Sequence, residues 1–256
     1  MSVAAPKGHA TRRGVVQTEH HRVPHFGDRR VRVYVPREYD GTRPFPLLVL
    51  FDGQNVFDDA GSFAGGWHAH RAVDRLGQKR SRPIVVGVDH GHGARIDELA
   101  PWRRDGSPGR AEAFVGWVAE TLVSELRRRH HVVAGPAGVL VAGSSLGGLA
   151  AMYAHFRWPE TFGGALSMSP SFWLGAPKIF DYVASRPVPW TSQIYLDCGV
   201  GEGGGGMHRH AERMAALLRG RGYAAARLLF KSDPKGAHGE RAWRRRLPAA
   251  LRFFYR

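Results

Sequence analysis

The chain has 256 residues, 43% of them hydrophobic, and a formal net charge of +15. This length suffices for one α/β domain with a continuous core, and the hydrophobic fraction argues against extensive disorder. No apolar run approaches the roughly 18–20 residues that span a bilayer. The first 14 residues lack the apolar core of a secretory signal, which is about 7–15 residues long. We therefore expect a cytoplasmic protein that has no membrane partner.

The positive charge does not by itself indicate a nucleic-acid-binding protein. Five of the 37 basic residues are lysines and the rest are arginines, which are spread along the whole chain. The densest clusters, at 125–131 and 241–248, fall in helical patterns and would form solvated helix faces. We expect a general attraction to anionic ligands and no specific nucleic-acid partner. The one cysteine, Cys198, excludes an internal disulfide and suits a reducing compartment.

The N-terminal part of the chain predicts an arm followed by a hairpin. Residues 1–14 are polar and predict a flexible arm, and 15–256 are predicted to form a single domain. Residues 30–36 alternate between apolar and polar, as a half-buried strand does. Together with the stretch 15–23 and a turn at 26–28, they predict an antiparallel hairpin.

Short, continuous apolar runs then recur, which is the pattern of strands buried on both faces. They occupy 46–53, 83–91, 138–143, 164–169, 193–199 and, more weakly, 225–230. Helical patterns occupy 68–77, 111–130, 146–157, 207–220 and 240–255. This alternation predicts an α/β fold, with a mostly parallel central sheet, helices on both faces and the antiparallel hairpin at the N-terminus. The glycine-rich stretch 199–208 is expected to be a loop inside this domain.

The stretch 141–151, VAGSSLGGLAA, joins a predicted buried strand to a predicted helix. It contains G-x-S-x-G with Ser145 at the centre. A strand that turns directly into a helix strains the corner residue, so its neighbours two positions away must be small. The serine then stands at the carboxyl edge of the sheet, beside the positive end of the helix. We interpret Ser145 as a nucleophile and expect Ser144 to point elsewhere; the alternative is a plain turn.

A serine nucleophile needs a base and an orienting acid, which follow it in the order acid, then histidine, in α/β-hydrolases. His238, in the loop before the last predicted helix, is the expected base, and a capping role is the alternative. Glu202, in the glycine-rich loop, is the expected acid; the alternative is a solvated loop residue. Asp197 and Asp233 are the other candidate acids. The oxyanion would require two backbone N–H groups, which we expect from Leu146 and Gln54. The candidate catalytic residues are then Ser145, His238 and Glu202, and the candidate oxyanion hole is formed by Gln54 and Leu146.

Aromatic and charged side chains follow several predicted strands and are candidates for substrate binding. They are Asp52, Trp67, Arg95, Trp102 and Trp173. Tryptophans in such positions can instead simply pack in the core, and Arg95 can instead form a structural ion pair with Glu98. Aromatic faces beside arginines would suit a flat, anionic aromatic acyl group.

Three His-x-His pairs raise the question of a metal site: His68/His70, His90/His92 and His208/His210. Residues two apart on a helix point about 200° away from each other, so the first and third pairs are poor chelates. His90 and His92 lie in a predicted loop, but no clear carboxylate motif accompanies them. We therefore expect no metal ion, and His90 or His92 would instead line the cleft.

Four stretches together resemble one known family. They are LLVLFDGQNVFD, RIDELAPW, VAGSSLGGLAAMYAHFRWPETFGGALSMSPSFW and IYLDCG, the last with Glu202 and a later AH.E.AWRRRLP. Over roughly residues 15–255 the chain resembles the Putative esterase family of the α/β-hydrolases. That family includes enterochelin-esterase-like hydrolases, S-formylglutathione hydrolase (esterase D), feruloyl esterases and mycolyltransferases of the antigen 85 type.

The resemblance implies an α/β-hydrolase fold, a triad of Ser145, Glu202 and His238, and no metal or organic cofactor. It also implies an oxyanion hole formed by the Gln54 and Leu146 amides. The segment 89–99 departs from the family pattern, since relatives often carry Asn-Gly after the aspartate, so pocket specificity does not carry over.

The predicted activity is hydrolysis of a carboxylic ester through an acyl-enzyme. The expected partner is a small-molecule ester, of siderophore type or with another aromatic acyl group. Two alternatives stay open: an acyltransferase that uses the same triad with an alcohol or amine acceptor, and a non-catalytic binding protein for anionic ligands. The complete set of serine, glutamate and histidine favours an enzyme.

Overall fold

The computed structural model describes residues 13–77, 82–175, 177–189 and 192–255. The predicted arm at 1–14 therefore lies almost wholly outside the described residues. Of that segment, Arg13 forms a bridge with Val35, and the Gly14 N–H donates to the Val35 carbonyl at 2.8 Å. These two residues run beside the end of the second strand.

The described strands form one eight-stranded sheet. They are β1 (Val16–Val23), β2 (Gly27–Tyr34), β3 (Leu47–Phe51), β4 (Ile84–Val88), β5 (Val139–Ser144), β6 (Gly164–Met168), β7 (Gln193–Gly199) and β8 (Leu228–Asp233). Their order is β1-β2-β4-β3-β5-β6-β7-β8. The pairs β1–β2 and β2–β4 are antiparallel, and the other neighbours are parallel. The predicted hairpin and mostly parallel sheet are confirmed, and this is the α/β-hydrolase fold.

Helices pack on both faces of this sheet. They are α1 (Ala69–Asp74), α2 (Arg95–Leu99), α3 (Ala111–Gly116), α4 (Val123–Arg129), α5 (Leu146–Arg157), α6 (Lys178–Ser185), α7 (Gly206–Gly220) and α8 (Glu240–Phe254). A π-helical segment, Trp117–Leu122, makes α3 and α4 continuous, so the pattern at 111–130 is one helix with a bulge. The short helices α2 and α6 were not predicted, since five to eight residues carry too little periodicity.

Alternate residues of the same strand enter different core clusters. In β3, Leu47 and Val49 pack with apolar side chains of α3 to α7, whereas Leu48 and Leu50 pack with those of α1 and α8. Successive side chains of a strand point to opposite faces, so a strand covered on both sides must be apolar throughout. This explains the continuous apolar runs in the sequence.

The buried histidine of α5 makes stability depend on pH. His155 is fully buried; its Nδ1 lies 2.9 Å from the Phe162 carbonyl oxygen and its Nε2 lies 2.5 Å from Ser192 Oγ. Burial lowers the pKa of His155 from 6.5 to about 4, against the opposing effect of the Phe162 hydrogen bond. As the pH falls below 6.5 the unfolded chain therefore binds a proton before the folded chain does. The stability that His155 contributes is present above pH 6.5 and is lost as the pH falls towards 4.

We expect His155 to make the free energy of unfolding fall by up to about 1.4 kcal/mol per pH unit in this window. The measurement is urea unfolding of the wild type and of His155→Gln between pH 7.5 and about 4, the folded-state value given above. The variant should be less stable at neutral pH, and its stability should fall less steeply with acid. Parallel pH profiles for the two proteins would contradict this assignment.

Candidate active site

Ser145 occupies the corner between the last residue of β5 and the first residue of α5. Its backbone has φ 56° and ψ −121°, a strained conformation for a residue with a side chain. The Ser145 N–H donates to the Met168 carbonyl of β6 at 3.0 Å, and the Ser145 carbonyl accepts from the Ser171 N–H at 2.9 Å. These bonds hold the corner so that the hydroxyl projects from the carboxyl edge of the sheet.

The glycines around Ser145 are required by close backbone approach. A Cβ on Gly143 would lie 2.4 Å from the carbonyl carbon of Gly147, which real Cβ atoms do not tolerate. A Cβ on Gly147 would lie 3.0 Å from a carboxylate oxygen of Asp52 and 3.3 Å from Phe51 Cβ. The two outer glycines of the motif therefore let α5 begin directly against β5 and β3.

Gly143→Ala is expected to destabilise the protein by at least about 1–3 kcal/mol, because the added methyl group forces backbone apart at the corner. Labelling of Ser145 should also slow in the protein that remains folded, because displacement of the corner moves Ser145 away from His238. Thermal unfolding and fluorophosphonate labelling of Ser145 measure the two effects. Gly220→Ala is the matched control: a Cβ there meets no atom of another segment within 4 Å, so both readouts should stay near wild type.

The structure brings Ser145, His238 and Glu202 into one hydrogen-bonded chain. His238 Nε2 lies 3.0 Å from Ser145 Oγ, and His238 Nδ1 lies 2.8 Å from Glu202 Oε2. Glu202 is buried, whereas the His238 side chain is 36% exposed. The imidazole can therefore move a proton to or from the serine while the buried carboxylate fixes its orientation.

Glu202 keeps its charge although it is buried. Burial by itself would raise its pKa, but hydrogen bonds from His238, Ser169 and the Gly199 N–H and the charge of Arg246 more than offset this. The pKa of Glu202 consequently lies below its ordinary value. An ionised Glu202 at neutral pH is what the orientation of His238 requires.

The other two candidate acids face different partners. Asp197 accepts a hydrogen bond from the Tyr195 hydroxyl at 3.2 Å and forms an ion pair with Arg246 at 3.2 Å. Burial raises the pKa of Asp197 to about 7. Asp233, at the end of β8, contacts Arg245. The carboxylate that contacts His238 is that of Glu202.

The two predicted oxyanion amides belong to residues at the starts of helical turns. Leu146 is the first residue of α5. Gln54 lies in a short 3-10 turn, Gly53–Asn55, which begins two residues after the end of β3. N–H groups in a first turn have no partner within their own helix, so they are free to bind an anion. Gln54 and Ser145 line the same cleft.

Ser145 and His238 open into a cleft of about 360 Å³. Its other lining residues are Asp52, Gln54, Asn55, Phe63, His90, Arg95, Ser144, Gly239, Glu240 and Trp243. Ser144 thus borders the cleft, although it is 4% exposed and belongs to β5. Phe63, which is 90% exposed, and Trp243 are aromatic groups that the sequence patterns did not single out.

Arg95 and Asp52 form a bidentate ion pair within the cleft. Arg95 Nε and Nη2 donate to the two Asp52 carboxylate oxygens at 2.7 and 2.8 Å. The sequence left open an ion pair between Arg95 and Glu98 as the alternative to a substrate-binding role for Arg95. The prediction of that partner is wrong. Glu98 instead contacts Arg29 and accepts a hydrogen bond from the Gly91 N–H at 2.7 Å, because α2 turns it towards the hairpin.

The three candidate tryptophans lie in three different environments. Trp67 is buried against Trp243, with ring centroids 6.0 Å apart, and supports the wall of the cleft from behind. Trp102 lines another groove, together with Tyr153 and Tyr182. Trp173 is 46% exposed, and neither it nor Trp102 is among the residues lining the cleft of Ser145. Spacing along the chain did not distinguish these positions.

The three His-x-His pairs lie in different surroundings. His68 precedes α1 with φ 52°, so His68 and His70 are not two apart on a helix and their rings stack at 6.3 Å, which corrects the expected geometry. His90 lines the cleft, as expected for one member of its pair. Within the described ranges, no group of three or more His, Cys, Asp or Glu side chains could hold a metal ion. None of the helices built from those residues is long and apolar enough to cross a membrane.

The strand order and the strained serine corner, with a histidine and a carboxylate beside it, define the class: a protein of the α/β-hydrolase fold. A profile of one family within that class, described as "Putative esterase", matches residues 26–254. The chain belongs to the Putative esterase family, as its motifs indicated, and is by class an ester hydrolase.

Individual proteins resemble the chain at modest sequence identity. The iron(III) salmochelin esterase of Escherichia coli O6:H1 is 32% identical over 147 residues, which are 57% of this chain and 32% of that esterase. The chain therefore matches about a third of that relative's length. The BES protein from Bacillus cereus superposes with a TM-score of 0.78 at 17% identity, covering 98% of this chain and 99% of its own. The siderophore hydrolase EstB from Aspergillus nidulans superposes with a TM-score of 0.73 at 20% identity, covering 98% and 97%. These two likenesses show the shared fold.

Proposed function

We propose that this protein is a serine hydrolase that cleaves a carboxylic ester through an acyl-enzyme intermediate. The observation that carries the proposal is the unbroken contact from Ser145 Oγ to His238 to Glu202, at 3.0 and 2.8 Å. A hydroxyl becomes an effective nucleophile when an adjacent base can take its proton. The family to which the chain belongs supports the same activity.

In the proposed reaction, His238 Nε2 takes the proton of Ser145 as Oγ attacks the ester carbonyl. The N–H groups of Gln54 and Leu146 hold the oxyanion of the tetrahedral intermediate. Collapse of this intermediate breaks the ester bond, and His238 returns the proton to the leaving alcohol. His238 then activates a water molecule that attacks the acyl-enzyme, releases the acid and restores Ser145, while Glu202 orients the imidazole throughout.

The proposed substrate is a siderophore-type or other aromatic acyl ester. Phe63, which is exposed at the cleft, offers an apolar face to an aromatic group, and the buried Trp243 adds apolar surface to the cleft wall. Arg95 lines the same cleft and supplies a guanidinium that is paired with Asp52. The name of the salmochelin esterase relative favours the same class, over the third of that protein which the chain matches. The test is turnover of acetyl, butyryl and benzoyl esters, followed by catecholate lactones. Equal turnover of the three simple esters would contradict an aromatic preference.

Mass spectrometry after fluorophosphonate treatment tests the mechanism. A single adduct on Ser145 of the wild type, much slowed in His238→Ala, is the expected result. Absence of any adduct on the wild type would favour the non-catalytic alternative. Product analysis with and without alcohol or amine acceptors separates hydrolysis from acyl transfer.

Arg95→Ala is expected to lower kcat/KM for an anionic aromatic ester by about tenfold and to leave a neutral acetyl ester less affected. The reason is that Asp52 loses its bidentate partner and presents an unpaired negative charge to the cleft. The measurement is the ratio of kcat/KM for the two esters. Arg103→Ala is the control, because Arg103 pairs with Asp97 at the surface. If the ratio of kcat/KM for the two esters were the same in Arg95→Ala and Arg103→Ala, the role of Arg95 would be contradicted.

A further inference from the structure

A buried arginine lies directly behind the carboxylate that contacts His238. Arg246, in the second turn of α8, is 7% exposed. Its Nη1 forms an ion pair with Asp197 Oδ1 at 3.2 Å, and its Nη2 donates to Glu202 Oε1 at 3.4 Å and to Ser169 Oγ at 2.8 Å. A guanidinium stays charged in a protein, and burying it is costly unless anions accompany it. The carboxyl groups of Asp197 and Glu202 lie against it here.

The hydrogen bonds of Ser169 are forced into one direction. Ser169 Oγ lies 2.8 Å from Arg246 Nη2, 3.0 Å from Trp243 Nε1 and 2.8 Å from Glu202 Oε1. Arginine and indole nitrogens can only donate, and a hydroxyl has one proton. Ser169 therefore accepts from both side chains of α8 and donates its own proton to Glu202.

These contacts hold one edge of the Glu202 carboxylate and leave the other for His238. Glu202 Oε1 accepts from Ser169 Oγ and from the Gly199 N–H, each at 2.8 Å, and from Arg246. Oε2 accepts from His238 Nδ1. Rotation of the carboxylate would break all three bonds to Oε1, so its orientation is determined by groups on β7, on the end of β6 and on α8.

We propose that Arg246 is a positioning residue for the proposed triad: its charge offsets that of the buried carboxyl groups of Asp197 and Glu202, and it directs the Ser169 hydroxyl so that ionised Glu202 faces His238. The inference rests on the proposed function. α8 begins two residues after His238, so the same helix that follows the base carries the cation behind its acid. Four charged or titratable groups face the Arg246 guanidinium or the Glu202 carboxylate: Asp197 on β7, Asp233 on β8, Glu202 itself and His238. Asp233 Oδ2 lies 3.9 Å from Arg246 Nε. The Cys198 thiol and the Tyr195 hydroxyl are the other titratable neighbours.

The experiment compares the wild type with Arg246→Met, Arg246→Lys and Ser169→Ala by two readouts. The first is the low-field NMR resonance of the His238 Nδ1 proton, which reports the hydrogen bond to Glu202 whether or not the protein hydrolyses esters. The second is the pH profile of the rate at which a fluorophosphonate labels Ser145. Arg244→Met is the matched control on the same helix, since Arg244 is half-exposed and contacts His68 and Asp59 rather than the triad. Circular dichroism establishes that each variant is folded.

Arg246→Met should shift the low-field resonance or abolish it. It should also move the acid limb of the labelling profile to higher pH by about half a unit or more, because removing a nearby cation favours the protonated imidazole. Arg246→Lys should keep the midpoint near that of the wild type, since it keeps the charge, but lower the plateau rate by about tenfold because an ammonium lacks the fork that spans Asp197 and Ser169. Ser169→Ala should lower the plateau without moving the midpoint. Arg244→Met should match the wild type in both readouts.

An unchanged resonance and midpoint in folded Arg246→Met would overturn the proposal. If Arg246→Met does not fold, an Arg246→Lys profile with a wild-type plateau and resonance would overturn it instead. Failure of the wild type to be labelled would refute the proposed function, and the resonance in the variants would still decide whether Arg246 positions His238 through Glu202.

Discussion

Ser145→Ala is expected to abolish fluorophosphonate labelling and to lower ester hydrolysis by at least about 10⁴-fold. The serine hydroxyl is the group that lies 3.0 Å from His238 Nε2, and its backbone is held at a strained corner that a methyl side chain leaves unchanged. The variant should therefore fold like the wild type. Labelling followed by peptide mass spectrometry, with hydrolysis of an aryl ester in parallel, measures the effect.

The neighbouring serine provides the control for this prediction. Ser144 belongs to β5, pairs in register with Met168 and is 4% exposed. Ser144→Ala should still give a single adduct, located on Ser145. An adduct on another residue, or substantial hydrolysis by Ser145→Ala, would show that the nucleophile has been misassigned.

Glu202→Gln is expected to lower kcat by about 10³–10⁴-fold with little change in KM. An amide at this position is uncharged, and the NH₂ group that it can turn towards His238 Nδ1 stabilises the wrong tautomer of the imidazole. Glu202 also carries the contacts to Ser169 and Gly199, so the glutamine keeps the shape of the loop while it removes the charge. Steady-state kinetics on an aryl ester, with thermal unfolding to establish folding, is the measurement.

Asp233→Asn separates this role from a general effect of removing acids near the site. Asp233 lies at the end of β8 and contacts Arg245, which is largely exposed. It also lies 3.9 Å from Arg246 Nε, but no hydrogen bond of the triad involves it. Its replacement should therefore lower kcat by less than about tenfold, far less than Glu202→Gln does. Equal losses in Glu202→Gln and Asp233→Asn would contradict the assignment of the acid.

The elements of the fold followed from sequence patterns where one physical requirement dominated. Strands buried on both faces must be apolar throughout, so β3 to β7 were recognised as runs, and the hairpin was recognised from its alternation. Helices α7 and α8 were long enough to show their amphipathic periodicity. α5 is buried on nearly every side and shows little periodicity. The short helices α2 and α6 were not long enough, and the π-helical segment has no signature in hydrophobic spacing.

The candidate site was predictable to the extent that it depends on local backbone chemistry. G-x-S-x-G located the corner because Gly143 and Gly147 touch within one turn. The chain order of serine, acid and histidine then pointed to His238 and favoured Glu202 over Asp197 and Asp233 as the acid. The partner of Arg95 and the positions of Trp67 and Trp102 were not predictable. They depend on how a loop after one strand packs against loops after others, which spacing along the chain does not encode.

By itself the sequence determined the class of fold, the serine corner and the set of polar residues at the carboxyl edge of the sheet, because each is a constraint between residues close in the chain. Only the tertiary structure decided which carboxylate meets His238, that Asp52 receives Arg95, and that Arg246 lies behind Glu202. Those pairings join β3 to α2, and β7 to α8. Charge pairing in a buried site is set by distances of a few ångströms between segments far apart in sequence, and these distances exist only once the sheet has formed.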